Sequence, residues 1–458
     1  MSVRSETDAT GRNDWLARIL DEERAAPPSE IPEEVPPPKE DASPTAEHPP
    51  VVRRRWPRVW IGVIVLLCAV QAITATLLLG RSEPVVPIST PLIVKERPAE
   101  RQEFVVSAKG DGDYQSLAQA VAQAKPGMRI RVKPGVYSEP LILDKAVEIV
   151  GDGPVAEIIL EAKDADAVQI KADGVVLRDV SLRVHTADKG ADVYPLHVAQ
   201  GRPRIENCDI RSESAGCVAI RGPEAQPILR GCTIHDGKGG GVLFANKAKG
   251  VLQGCRITGH AQAAVVISTE ADPVLMNCTV SGSQDAGIIV NARGRGLMVD
   301  CVFSGHRIAG AVIRGKDANP LFRGCTFAEN RSAGVWVRED AGATLEGCDI
   351  HNNMLAGAAA DKGAKLALLR CQIHHGKDAG VLVMSAGWAT VVGCEIRDHV
   401  DSGVVVQDAG SASVSHCRLE ANRRGEWRIA PGGSVSGLSN QPPAPSTPIG
   451  VAPVSQVK

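Results

Sequence analysis

The stretch GCTIHDGKGGGVLFANKAKGVLQGCRITGHAQAAVVISTEADPVLMNCTV, Gly231 to Val280, contains two full periods of a repeat that organises most of the chain. Its cysteines belong to a series of ten, Cys208, Cys232, Cys255, Cys278, Cys301, Cys325, Cys348, Cys371, Cys394 and Cys417, each 23 or 24 residues after the last. Two residues beyond each cysteine stands Ile, Val, Phe or Leu, so both side chains share one face of a strand. Eight or nine residues after the cysteine comes a small residue, such as Gly241, Ala264, Gly287 or Gly310, and then a second aliphatic run such as VLF, IIV or VVV. A unit of this size, made of short strands and turns, cannot close a core alone. Stacked at about 4.8 Å per coil, however, such units pair their backbones and bury a continuous aliphatic column. Glycines and β-branched residues punctuate every unit, which excludes a helical repeat. The pattern predicts an all-β fold, a single right-handed parallel β-helix of about 23-residue coils spanning residues 102–430.

The regions outside the repeat differ in composition. Residues 1–57 combine a short helical pattern over Asn13 to Ala26 with a Pro/Glu-rich stretch, and read as a disordered cytoplasmic segment. Val59 to Gly80 is a 22-residue run without a charge, long enough for one transmembrane helix. Arg53, Arg54, Arg55 and Arg58 crowd its N-terminal side, so the positive-inside rule puts the N-terminus in the cytoplasm and the β-helix outside, anchored in the cell membrane. Residues 81–101 read as a linker and 431–458 as a disordered tail. The net charge of −2 supplies no field for nucleic acid, which is not expected as a partner. The open N-terminal end of the solenoid needs a cover, and Ser116 to Lys125 (SLAQAVAQAK) has the composition of a capping helix.

The segment FVVSAKGDGDYQSLAQAVAQAKPGMRIRVKPGVYSE, from Phe104 to Glu139, together with the coils that follow, resembles the pectin-lyase-like superfamily of right-handed β-helices. The likeness is to proteins carrying the short repeats shared by carbohydrate-binding proteins and sugar hydrolases. The opening is also similar to that of pectin methylesterases, down to Gly135-Val136-Tyr137-Ser138-Glu139. The catalytic blocks of that esterase family do not follow: the chain reads HVAQGRPRIENCDIRSESAGCVAI where they would stand. The Asp-Pro-His-Asp signature of related alginate epimerases is missing as well. The resemblance therefore implies a fold and a carbohydrate context rather than a set of catalytic residues.

Several columns of side chains are candidates for chemistry. The cysteines, stacked in register with parallel Cβ vectors, read as free thiols filling the core rather than as disulfides. The outward column one residue after the cysteine holds Asp349 and Glu395, two rungs or about 9.6 Å apart, near the outer limit for an inverting carboxylate pair. Asp378 and Asp401 occupy matching turns of adjacent coils, where a calcium ion would relieve their repulsion. Aspartates that bond their own turn backbone explain the same residues more cheaply. His351 and His374 stack three residues after their cysteines and offer two ligands to a transition metal. In the second strand the outward positions are apolar, including Leu243, Val266 and Trp336; Trp336 is a platform for sugar stacking if exposed. The leading expectation is a β-helix that binds an extended polysaccharide or a protein along its side without turnover. The alternatives are a lyase, esterase or epimerase on acidic glycans using the paired acids, and a structural spacer or sensor linked to the cytoplasmic segment. No cofactor is implied beyond calcium.

Overall fold

The computed structural model describes residues 103–187, 192–213 and 216–444. The expected transmembrane helix at 59–80, the cytoplasmic segment 1–57 and the linker 81–101 lie outside the described residues. Among the described residues, no helix is long and apolar enough to cross a membrane.

Each coil contributes three short strands, and the stack forms three parallel sheets of 15, 13 and 13 strands. In coil order these are sheet A, sheet B and sheet C; one coil runs through Val251–Gln253, Arg256–Thr258 and Val265–Ile267. Register is kept from rung to rung, as in Leu252↔Leu275, Ile257↔Val280 and Val265↔Ile288. Inward residues form unbroken columns. That of sheet A, for example, runs Leu229, Leu252, Leu275, Met298, Phe322 and Leu345, all fully buried. Phe303 stacks on Phe327 at 5.2 Å, with Phe322 edge-on to both.

The capping helix is present as α1, Leu117–Gln123. Ser116 caps it by accepting from the Gln119 amide, and Leu117, Ala120 and Val121 are buried in the same core as the first coils. Glu139 explains the residues just after the first turn: it accepts from the Ser116 hydroxyl at 2.7 Å and from the Ala118 amide at 2.9 Å, tying the first coil to the cap. Tyr137 is buried, and its hydroxyl donates to the Lys133 carbonyl at 2.8 Å. The opening motif is thus structural.

At the other end the expected tail is corrected in part. Ser434–Ser436 adds a strand to sheet A, pairing with Ser411–Ser415, and Gln441 bridges to Arg418. The exposed backbone edge of the last coil supplies the reason, since pairing satisfies it even where the sequence is rich in Gly and Pro. Residues from 445 on lie outside the described part.

The corners of sheet B reveal what the cysteines do. All eleven cysteines in the described residues are free and buried. The residue before each ladder cysteine turns the chain with positive φ, glycine at some rungs but Asn277 (φ 53°) and Asp300 (φ 52°) at others. The thiol then reaches the carbonyl 26 residues earlier, as Cys255 does Leu229 (3.5 Å) and Cys348 does Phe322 (3.5 Å). At the last rungs the sulfur also accepts from the amide of the previous ladder position, 3.4 Å from Cys371 N to Cys394 Sγ. Asn440 takes over the cysteine position in the final coil with the same pair of bonds, to Cys417 N (3.0 Å) and Val414 O (2.7 Å).

The opposite corner, five residues after each cysteine, carries a second ladder that sequence reasoning missed. Asn353 accepts from the Asn330 amide (3.1 Å) and donates to Phe327 O (3.0 Å). Asn422 does the same for His399 and Ile396. His306 accepts from Ser283 N at Nδ1 and bonds Val280 O through Nε2, and His260 does so with Gly237 and Ile234. These partners fix Nε2 as the protonated nitrogen. The ladder also accounts for the column of small residues: a Cβ on Gly310 would stand 2.7 Å from Gly334 O and 2.9 Å from the Asn330 amide nitrogen.

Burial of His260 and His306 pushes each imidazole from 6.5 down to about 4, outweighing the carbonyl bond that favours the charged form. The unfolded chain therefore takes up protons first. Stability is whole above about pH 6.5, falls as the pH drops from there to about 4, and by linkage each histidine accounts for a loss on the order of 3 kcal/mol. The double variant His260→Asn/His306→Asn should lose less stability over that interval in denaturant titrations of the full chain; an unchanged pH profile would contradict the ladder assignment. The eleven thiols should also resist labelling in the native protein and react once it is denatured, as read by mass-spectrometric mapping.

Candidate functional site

Two early coils are longer than the rest, with Val176 paired to Glu148 28 residues before it, and Cys208 28 residues after Val180; in the second a lengthened turn leads into the strand Leu196–Gln200 of sheet C. Regular coils must keep their turns short to stack, so a lengthened turn is free to carry polar side chains over the outer face. Those of this turn converge with residues from the coils on both sides. His197, at the centre of its strand, stands in register between Gln169 and Ala219. Its Nδ1 lies 2.7 Å from Asp166 Oδ2, and the other Asp166 oxygen accepts from the Tyr194 amide at 2.8 Å. The His197 and Asp166 side chains are 17 % and 16 % exposed, and Nε2 has no hydrogen-bond partner among the described residues. An imidazole oriented by a carboxylate at Nδ1, with Nε2 open, is placed to accept a proton.

Beside it, Tyr194 donates to Asp192 Oδ1 (2.8 Å) and accepts from Arg221 Nη2 (2.9 Å), and Arg221 also grips Asp192 through both terminal nitrogens. The Tyr194 and His197 rings are 6.2 Å apart between centroids. Burial pushes the Tyr194 phenol well above its usual range, with Asp192 adding to the effect, so the group stays protonated. Burial also works against ionisation of Asp192, but the hydrogen bonds and charge of Arg221 outweigh it and hold the carboxyl below 3.8. The site thus presents an oriented base, a proton-bearing phenol and a guanidinium on one face.

The residues singled out from the sequence lie elsewhere. Asp349 and Glu395 do occupy one outward column of sheet B, with Gln372 between them. Each is engaged separately: Asp349 by His374 Nε2 at 2.9 Å, Glu395 by Arg397 at 3.0 Å. His351 and His374 stack at 5.2 Å with nearly parallel rings, and His374 Nδ1 meets His375 Nδ1 at 2.6 Å. Burial lowers the His374 pKa, against the pull of Asp349. Asp378 and Asp401 stand at matching positions before strands paired one rung apart, Val381–Val383 and Val404–Val406. Asp401 is committed to the Ser402 amide at 2.8 Å and to Arg428 at 2.5 Å, and the earlier turn aspartate Asp285 bonds the next amide, that of Ala286. Among the described residues, no group of three or more His, Cys, Asp or Glu is arranged to hold a metal ion. Trp336 is half-buried and donates to Asp361 Oδ2 at 3.3 Å, with Arg338 over its ring at 4.2 Å.

The family model described as a right-handed beta helix region matches residues 189–327 and 310–440, together more than half of the chain. The chain belongs to the right-handed β-helix family. Among curated relatives of this β-helix protein, pectinesterase 3 of Solanum lycopersicum is 31% identical over 121 residues, 23% of this chain and 22% of the relative. A pectinesterase of Daucus carota is 26% identical over 164 residues, 29% of this chain. The match spans about half the length of that second relative. Similar solved structures include the A-module of mannuronan C-5 epimerase AlgE6 from Azotobacter vinelandii, with a TM-score of 0.48, 14% identity and coverage of 71% of this chain and 94% of that one. Pectin methylesterase PemA from Erwinia chrysanthemi has a TM-score of 0.37 at 11% identity, covering 51% of this chain and 88% of its own.

Proposed function

We propose that this β-helix acts on an acidic polysaccharide lying along the outer face of sheet C, by abstracting the proton on the carbon next to a uronate carboxylate. The observation that carries the reading is the Asp166–His197 pair, bonded at Nδ1 and without a described partner at Nε2, at a lengthened turn of the repeat. His197 takes the proton, Asp166 holds its tautomer, Tyr194 holds Asp192 and Arg221 in place, Arg221 lends positive charge to the enediolate, and solvent returns the proton. Return of a proton to the opposite face gives an epimer; loss of the glycosidic oxygen at the next carbon gives an unsaturated end. The pectinesterase names of the two curated relatives favour the same class of polymer. This reading replaces binding without turnover as the leading one, because Asp166 leaves His197 Nε2 the only ring nitrogen without a described partner.

The test is incubation of the full chain with polymannuronate and polygalacturonate, following new epimers by proton NMR and unsaturated ends by ultraviolet absorbance. Product is expected, falling by about 10²- to 10⁴-fold in His197→Gln, the range for removal of a general base. Asp166→Asn should lower kcat more than it raises KM. Binding of these polymers with no product would return the assignment to a non-catalytic carbohydrate binder.

A further inference from the structure

Beyond His197, two columns of outward side chains run side by side along sheet C. The column through the strand centres is apolar, passing Val266, Ile289, Val312 and Trp336 in register; Val266 and Ile289 are buried in a small cluster with Ala263 and Ala286, and Val312 and Trp336 are half-buried. The column two residues on is polar, passing Ser268, Asn291, Arg314, Arg338 and Asp361, with Arg314 and Arg338 paired on adjacent rungs. Like charges about 4.8 Å apart along a backbone destabilise one another unless an anion lies between them. Arg314 has neither a hydrogen bond nor an ion pair with any described residue. Arg338 is held flat against Trp336, and its buried Nε, 3.3 Å from Glu339 Oε1, makes no hydrogen bond.

Flanking the two arginines are polar atoms that natural proteins seldom leave unpaired. Asp361 is 4% exposed and its Oδ1 has no partner, while Oδ2 takes the Trp336 indole and lies 3.9 Å from Arg338 Nη2. Asn291, also 4% exposed, has neither amide atom satisfied. The strip therefore offers two guanidinium groups, one unfilled carboxylate acceptor and one unfilled amide, beside an apolar wall, in steps of one coil. We propose that it is a second binding site for an acidic polysaccharide, four to seven rungs from His197, where Arg314 and Arg338 take uronate carboxylates and Asp361 and Asn291 take hydroxyls. The coil rise is close to the advance per residue of an extended hexuronate chain, so successive sugars meet successive rungs. From the His197 rung to that of Asp361 is about 34 Å. A short oligosaccharide reaches only one of the two sites and a long one spans both.

The proposal shares its polymer class with the function proposed above but not its chemistry, and the two fail separately. Binding of tri- and decasaccharides of mannuronate and galacturonate is measured by calorimetry on the full chain carrying His197→Gln, with and without Arg314→Gln/Arg338→Gln. The decasaccharide should bind at least tenfold more tightly than the trisaccharide, and the arginine changes should remove that advantage while leaving turnover of the trisaccharide by a His197 protein unaltered. Arg314→Gln alone, which severs no hydrogen bond or ion pair with a described residue, gives the same reading if the double variant unfolds. Equal decasaccharide affinity with and without the arginines would overturn the proposal, as would displacement of the decasaccharide by poly-glutamate at matched charge. If the strip binds while no product forms from any polymer, only the catalytic reading falls.

Discussion

A corner buried between two stacked coils cannot reach water, so its backbone amides and carbonyls must be satisfied by the coils above and below. That requirement governs this molecule. At many corners of sheet B a side chain reaches back one coil and donates to the carbonyl 26 residues earlier, and Asn353 and Asn440 also accept from the amide 23 residues earlier. Cysteine, asparagine and histidine are interchangeable there because each can donate, accept and fit beneath the small residue of the next turn. The period is held near 23 residues because a longer corner would leave the ladder unable to reach. The same constraint puts neutral histidines in the core and makes the fold sensitive to acid.

Function then has room only where the ladder does not govern. The outer face of sheet C is such a place, and the lengthened turn before Leu196 is where stacking is relaxed enough to bring Asp166, Asp192, Tyr194, His197 and Arg221 together. The regular coils beyond it carry outward side chains that repeat at the coil rise, which suits the repeating polymer proposed as ligand.

Much of the fold was legible because hydropathy and spacing both report it. The cysteine period gave coil length and inward face, and SLAQAVAQAK gave the cap. The tail was misread because the Gly/Pro-rich residues around Ser434–Ser436 gain order only from the open edge they cover. The second ladder escaped because His260, His306, Asn330, Asn353 and Asn422 share a hydrogen-bonding task, not a hydropathy, and Gly237 and Ser283 interrupt the column. The candidate site escaped for a different reason: Asp166 and His197 are 31 residues apart, Asp192 and Arg221 are 29 apart, and neither spacing matches the repeat. The lengthened turn was visible, but its chemistry depends on which strands it lies between. Acids and histidines at regular spacing drew attention instead, and the structure spends them on local pairs such as Asp349 with His374 and Asp401 with Arg428.

The most direct test of the account is solvent exchange at carbon. Polymannuronate and polygalacturonate incubated with the full chain in D₂O should gain deuterium at the carbon bearing the carboxylate, at a rate that exceeds net product formation if the proton returns to its original face. Failure of both polymers to take up deuterium, while they remain bound, would contradict proton abstraction by His197 and leave the outer face of sheet C a binding surface alone.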